Sequence, residues 1–292
     1  MEMVEGAWKA VDMRVTQLVW SLLRNVMGVE LTGTPTTNGL PLIDSPTPIV
    51  VAITIYLSCV IGGLLWIKAF NLKPRAQEPA LLQALVLLHN LFCFGLSLYM
   101  CIGIIYQAIL NRYTLWGNSY KLEQTEMAIL VYMFYMSKYV EFMDTIIMVL
   151  KRNTRQITFL HVYHHSSIAL IWWIIAYHAP GGEAYFSAAL NSGVHVFMYL
   201  YYFLAAVLRG NEKVRRKYLF WGRYLTQLQM FQFGLNLLQA YYDRKVHAPY
   251  PPFLITILFY YMISLLVLFA NFYVHKYVMS SPKGKQKTSK AE

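Results

Sequence analysis

Seven stretches of this chain are apolar for long enough to cross a bilayer as helices: residues 49–70, 80–110, 127–150, 157–177, 185–208, 222–242 and 253–275. About 20 apolar residues reach across the roughly 30 Å hydrocarbon core of a membrane. Hydrocarbon offers no hydrogen bonds, so each such run must satisfy its backbone internally, and helices do this. Composition agrees, because 57% of the 292 residues are hydrophobic and only 13% are charged, a balance foreign to soluble domains of this size. The expected fold is therefore all-α: a polytopic membrane protein built as a seven-transmembrane-helix bundle.

Charge alternates between the loops. Lys68, Lys73 and Arg75 follow the first run, Lys151, Arg152 and Arg155 the third, and a basic stretch from Arg209 to Arg223 the fifth. Lys276, Lys283, Lys285, Lys287 and Lys290 follow the seventh. Basic residues collect on the cytosolic side, so these loops and the C-terminus are expected there and the N-terminus in the lumen. The net charge of +11 is thereby accounted for by orientation, with anionic lipid or a phosphate-bearing substrate as a further use and no nucleic acid required. Residues 1–47 are expected as a luminal segment in which Trp8, Val11, Val15, Leu18, Leu22 and Val26 mark an amphipathic helix. Asp12 and Arg14 interrupt any signal-peptide core there. Residues 48–278 form the helical domain, and 279–292 read as a disordered basic tail. Cys59, Cys93 and Cys101 show no CxxC spacing and read as packing residues.

Ionisable groups inside such runs are costly, and they are usually kept for reactivity or ligand binding. His161, His164 and His165, in HVYHH, fall on one helical face because successive residues turn by about 100°. Lys138, Glu141 and Asp144 lie on one stripe of the third run. Lys138 and Glu141 read as a neutralising ion pair, and Asp144 as a carboxylate able to orient an imidazole. Asn191, His195, Met198, Tyr199 and Tyr202 share a side of the fifth run. Thr226, Gln229 and Gln232 open a stripe on the sixth that Asn236 and Gln239 extend. From the cytosolic ends, Asp144 and Gln229 lie about 10 Å deep, His164 about 14 Å and His195 about 20 Å, at 1.5 Å per residue. They are expected to meet in a polar chamber open to the cytosol, suited to a molecule with a charged head and an acyl tail.

The motifs KYVEFMDT, HVYHH, HVFMYLYY and TQLQMFQ, in this order and at these separations, resemble the four signatures of the ELO family of fatty acid elongases, with no departure from them. The stretch from Phe159 to Ala205 resembles in particular the delta-6 polyunsaturated fatty acid elongases of lower plants and microalgae. The resemblance implies a 3-ketoacyl-CoA synthase of the endoplasmic reticulum membrane that joins acyl-CoA and malonyl-CoA with loss of CO₂ and CoA. It makes the middle histidine, His164, the acyl acceptor and His195 its cooperating imidazole, with His161, His165 and Asp144 as further catalytic candidates. Lys138, Glu141, Asn191, Tyr199, Tyr202, Thr226, Gln229 and Gln232 are then substrate-contacting candidates. His89, His178, His247 and His275 are expected to be structural or interfacial. No bound cofactor and no metal are expected. The product needs a ketoacyl-CoA reductase, a hydroxyacyl-CoA dehydratase and an enoyl-CoA reductase as functional partners, since this chain has no dinucleotide fingerprint. Membrane lipid is a further partner, and homo-oligomer formation is left open.

The expected substrates are C18 delta-6 polyunsaturated acyl-CoAs extended to C20. Saturated, monounsaturated or C20-specific elongation within the same family is the alternative. Di-iron membrane desaturases also use HxxHH, but they fill two coordination spheres from several histidine boxes, and this chain has one. A seven-helix transporter or receptor would use the polar stripes as a solute path.

Overall fold

The computed structural model describes residues 2–75 and 77–279, and all regular structure among them is helical. The chain runs through α1 (Glu2–Leu22), α2 (Thr47–Ala69), α3 (Ala80–Leu110), α4 (Thr125–Leu150), α5 (Phe159–His178), α6 (Ala184–Val207), α7 (Glu212–Tyr218), α8 (Gly222–Lys245) and α9 (Pro252–Tyr273). The expected basic tail, with Lys283, Lys285, Lys287 and Lys290, lies outside the described residues.

Helix boundaries follow local chemistry. Pro48, Pro79 and Pro252 stand within one residue of the starts of α2, α3 and α9, where a missing N–H costs nothing. Thr158 caps α5, its Oγ1 accepting the His161 N–H at 3.2 Å, so the helix begins two residues later than the apolar run. The short α7 was not anticipated; Asn211 caps it by accepting the Val214 N–H at 3.2 Å.

Among the described residues, α2, α3, α5, α6 and α9 with its π-helical continuation to Met279 are long and apolar enough to cross a membrane, which makes this a multi-pass membrane protein. α4 and α8, of 26 and 24 residues, have spanning length but carry the polar stripes that dilute their apolar character. Packing explains how such stripes are tolerated. α5, α4, α3, α6, α8 and α9 contact one another in that order, α9 returns to α5, and α2 packs outside against α4 and α5. A closed ring gives α4 and α8 an interior to face, where polar groups meet each other instead of lipid.

The ring has two chemically distinct ends. At the basic end, Glu78 before α3 ion-pairs with Lys151 after α4, at 3.1 Å, and with Arg209 after α6. Three loops separated in sequence but alike in charge therefore sit together, as the charge alternation requires. At the far end, Glu183 accepts hydrogen bonds from the backbone and side chain of Asn118, and Tyr185 donates to the carbonyls of Thr114 and Leu115, each at 2.9 Å. Tyr250 donates to the Ala179 carbonyl at 2.9 Å, and α1 is moored nearby by Ser45 donating to Asp12 at 2.6 Å and by Trp20 against Trp173. Gly182 makes the α5–α6 turn possible: its φ is +51°, and a Cβ there would come within 2.7 Å of the Tyr120 backbone nitrogen.

Candidate active site

The first turns of α5 present the histidine box from the basic end of the ring. The rings of His161 and His165 lie 4.4 Å apart and those of His164 and His165 5.4 Å apart, so the three imidazoles form one cluster. His161 is held from α4: its Nε2 is 2.8 Å from Thr145 Oγ1, and that hydroxyl is 3.0 Å from Tyr56 Oη on α2. His165 is buried between the other two. Of the three, His164 alone opens onto the cavity inside the ring.

That cavity is narrow, with a volume of about 60 Å³. Ile168, Ile171 and Ile175 of α5 and Leu254, Leu258 and Leu265 of α9 give it apolar walls, and Asn191, Gln232 and Asn236 add polar points. It continues beyond His164 to Glu183, Asp243 and Tyr250, about 16 Å along α8 from Gln232 to Asp243 at 1.5 Å per residue. The sequence predicts a polar chamber open to the cytosol; the cavity extends from His164 toward the far end, and its walls are mostly apolar. It has the form of a narrow, mostly apolar sleeve with the His164 imidazole in its wall, toward the basic end.

A second polar network lies on α4 and α6. Glu141 accepts from Lys138 Nζ at 2.6 Å and from Ser137 Oγ at 3.1 Å, and His195 Nδ1 lies 3.5 Å from the same oxygen. Lys138 is also seated 3.9 Å from the centre of the Phe134 ring. Burial of this pair is tolerable because each charge has its counter-charge, with Ser137 donating to Glu141 Oε1 and the Phe134 ring facing Lys138, although Glu141 Oε2 has no hydrogen-bond partner. The expected ion pair is thus present, and it also holds an imidazole.

Asp144 is placed differently from expectation. Its partners are not the histidine box: Oδ1 accepts from His89 Nε2 at 2.8 Å and Oδ2 from Tyr199 Oη at 2.8 Å. The imidazole that Asp144 orients is therefore His89, read from sequence as structural. A histidine at matching depth on a neighbouring apolar helix was the available signal. Asn191 and Gln232 line the cavity, and Thr226 is buried. Gln229 donates to the Met198 sulfur at 3.6 Å, and Tyr202 is 40% exposed, edge-on to Tyr199 and Tyr201, so it stands at the rim rather than in the centre. Gln239, read as part of the α8 stripe, braces the far end by donating to Glu183 Oε2 at 2.7 Å.

Fold and site together define a membrane-embedded helical ring whose mostly apolar internal cavity reaches a histidine cluster through His164. Residues 41–286 match the ELO family, described as the GNS1/SUR4 family. The chain is 42% identical over 248 residues to a fatty acid elongase 6 of Leishmania major, an alignment spanning 82% of this chain and 62% of that longer relative. It is 34% identical over 246 residues to a very long chain fatty acid elongase 5 of Xenopus tropicalis, covering 83% and 79% of the two chains. With the human very long chain fatty acid elongase 5, identity is 35% over 239 residues, covering 81% and 76%. The chain belongs to the ELO family.

Proposed function

We propose that this protein catalyses the condensing step of fatty acid elongation, converting acyl-CoA and malonyl-CoA to a 3-ketoacyl-CoA, CO₂ and CoA. The observation that carries this reading is the position of His164, the one imidazole of its box that lines the apolar sleeve. An acyl chain in the sleeve would present its thioester carbon to that ring.

In the first half-reaction a nitrogen of His164 attacks the thioester, the C–S bond breaks, and the departing thiolate takes up the proton that the ring loses. The acyl-imidazole so formed remains activated toward a second attack. In the second, the bond between the α-carbon and carboxylate of malonyl-CoA breaks, CO₂ leaves, and the electron pair stays as an enolate. Its carbon attacks the acyl carbonyl, and His164 departs and is reprotonated. One proton is consumed overall. His195, braced by Glu141, is suited to stabilising the enolate and returning that proton. Asn191, Gln229 and Gln232 supply amide donors for the oxyanions, with Thr226 and Tyr202 as further substrate contacts, whereas the Tyr199 hydroxyl is committed to Asp144.

In this reading α4 and α8 complete a seven-span bundle in the endoplasmic reticulum membrane, with the basic loops cytosolic and α1 luminal. The histidine box then lies toward cytosolic CoA esters, whose phosphates the basic loops attract. The expected substrates are C18 delta-6 polyunsaturated chains. A chain already bent by cis double bonds loses less conformational freedom when ordered among the fixed aromatic rings that line the cavity, Trp172, Phe233, Tyr250 and Tyr261. The three reductive and dehydrating enzymes named above complete the cycle.

The test is the purified protein in detergent or proteoliposomes with radiolabelled malonyl-CoA and a panel of acyl-CoAs. We expect label in 3-ketoacyl-CoA, with gamma-linolenoyl- and stearidonoyl-CoA ahead of palmitoyl-, stearoyl- and oleoyl-CoA. Absence of label with every acyl-CoA would overturn the condensing activity. Preference for saturated or C20 chains would overturn only the substrate class.

A further inference from the structure

The adjacent residues Asp144 and Thr145 point into different networks, as neighbours about 100° apart on a helix must. Thr145 and Tyr56 hold His161, and through it the box that contains His164. Asp144 serves the other side. Both of its carboxylate oxygens are engaged, Oδ1 by His89 and Oδ2 by Tyr199, and the Tyr199 side chain is almost wholly buried. The Tyr199 ring stands edge-on to two imidazoles, 6.2 Å from His89 at 86° and 5.6 Å from His195 at 80°. His195 is thus set between the Tyr199 ring and the Glu141 carboxylate, which lies 3.5 Å from its Nδ1. His89 itself is fixed on α3, with Cys93 Sγ 3.8 and 3.9 Å from its two ring nitrogens.

We propose that His89 is a positioning residue for the condensation half-reaction: through Asp144 and Tyr199 it fixes the ring of His195, while Thr145 and Tyr56 separately fix the acyl-accepting histidine box. The physical reason is that a buried carboxylate left with an unfilled oxygen seeks another donor. Without His89, Asp144 swings toward new partners and Tyr199 follows it, which loosens one wall of the His195 site. The His164 cluster shares no hydrogen bond with this chain of contacts and keeps its geometry. The inference rests on the acyl-imidazole reading above.

The two half-reactions separate the possibilities. With acyl-CoA alone, His89→Leu should release a stoichiometric burst of CoA at the wild-type rate, which also shows that the bundle is intact. With malonyl-CoA added, its turnover should fall by about tenfold or more, as is typical when a partner that orients a functional imidazole is removed. His89→Gln, whose amide nitrogen can replace the Nε2 donor to Asp144, should recover most of that loss. Tyr199→Phe, which keeps the ring and loses the hydroxyl, should repeat the selective defect of His89→Leu. Equal loss of both half-reactions in His89→Leu and Tyr199→Phe, or turnover at the wild-type rate in either, would overturn the positioning role. A wild-type protein that releases no CoA until malonyl-CoA is present would overturn the acyl-enzyme and the division of labour together.

Discussion

Lys138 and Glu141 show how far one interaction constrains a site like this. With both side chains buried, removing one charge strands the other. Lys138→Met should cost about 3–5 kcal/mol, read as a lowered midpoint of thermal unfolding in detergent. The double variant Lys138→Met with Glu141→Gln should recover much of that stability while elongation stays low, because the brace on His195 is gone. An activity recovered along with the stability would make the pair purely structural. Thr145→Val removes the hydroxyl shared by His161 and Tyr56 at almost constant volume, and should destabilise by about 1–3 kcal/mol by leaving buried polar atoms unpaired. His164→Ala should abolish extension without loss of inserted protein; rates near wild type would remove it from the acyl-accepting role. Most of these residues could be found in the sequence because a charge or imidazole in an apolar run is conspicuous. Partner choice could not. Whether Asp144 reaches the histidine box or His89 depends on the rotation of α4 against α3 and α5, which residue spacing along a single helix does not encode.

At the scale of elements, boundaries were legible where the ends of an apolar run are sharp: α3 starts just after Pro79, and both its ends fall at the residues the run marks. α7 was not, because a basic, seven-residue segment has no apolar periodicity to betray it, although Asn211 is a capping signal. Nor could the direction of the cavity be read, since it arises where α5, α6, α8 and α9 diverge, a property of four helices at once. The turn joining α5 to α6 offers a test. Gly182→Ala would combine a left-handed backbone, costing about 1–3 kcal/mol, with a Cβ that meets the Tyr120, Ser119 and Asn118 backbone. A lower yield of inserted protein and an earlier unfolding midpoint are expected, whereas Gly39→Ala, with a positive φ but open space around it, should be much milder. Equal effects would show that the close approach is unimportant.

For the whole molecule, the gathering of Glu78, Lys151 and Arg209 at one end of the ring turns charge alternation into a statement about sidedness. A protease added to sealed microsomes should cleave a tag placed after α9 and spare one placed before α1. The reverse pattern would put the basic loops and the histidine box on the side without cytosolic CoA esters. The most direct measurement is made on the wild-type protein with acyl-CoA and no malonyl-CoA. After rapid quench, proteolysis and mass spectrometry, the peptide containing HVYHH should carry the mass of the acyl group on His164, in amount equal to the CoA released, and the increment should vanish on addition of malonyl-CoA. Release of CoA only when malonyl-CoA is present, with no acylated peptide at any time, would contradict the acyl-imidazole route.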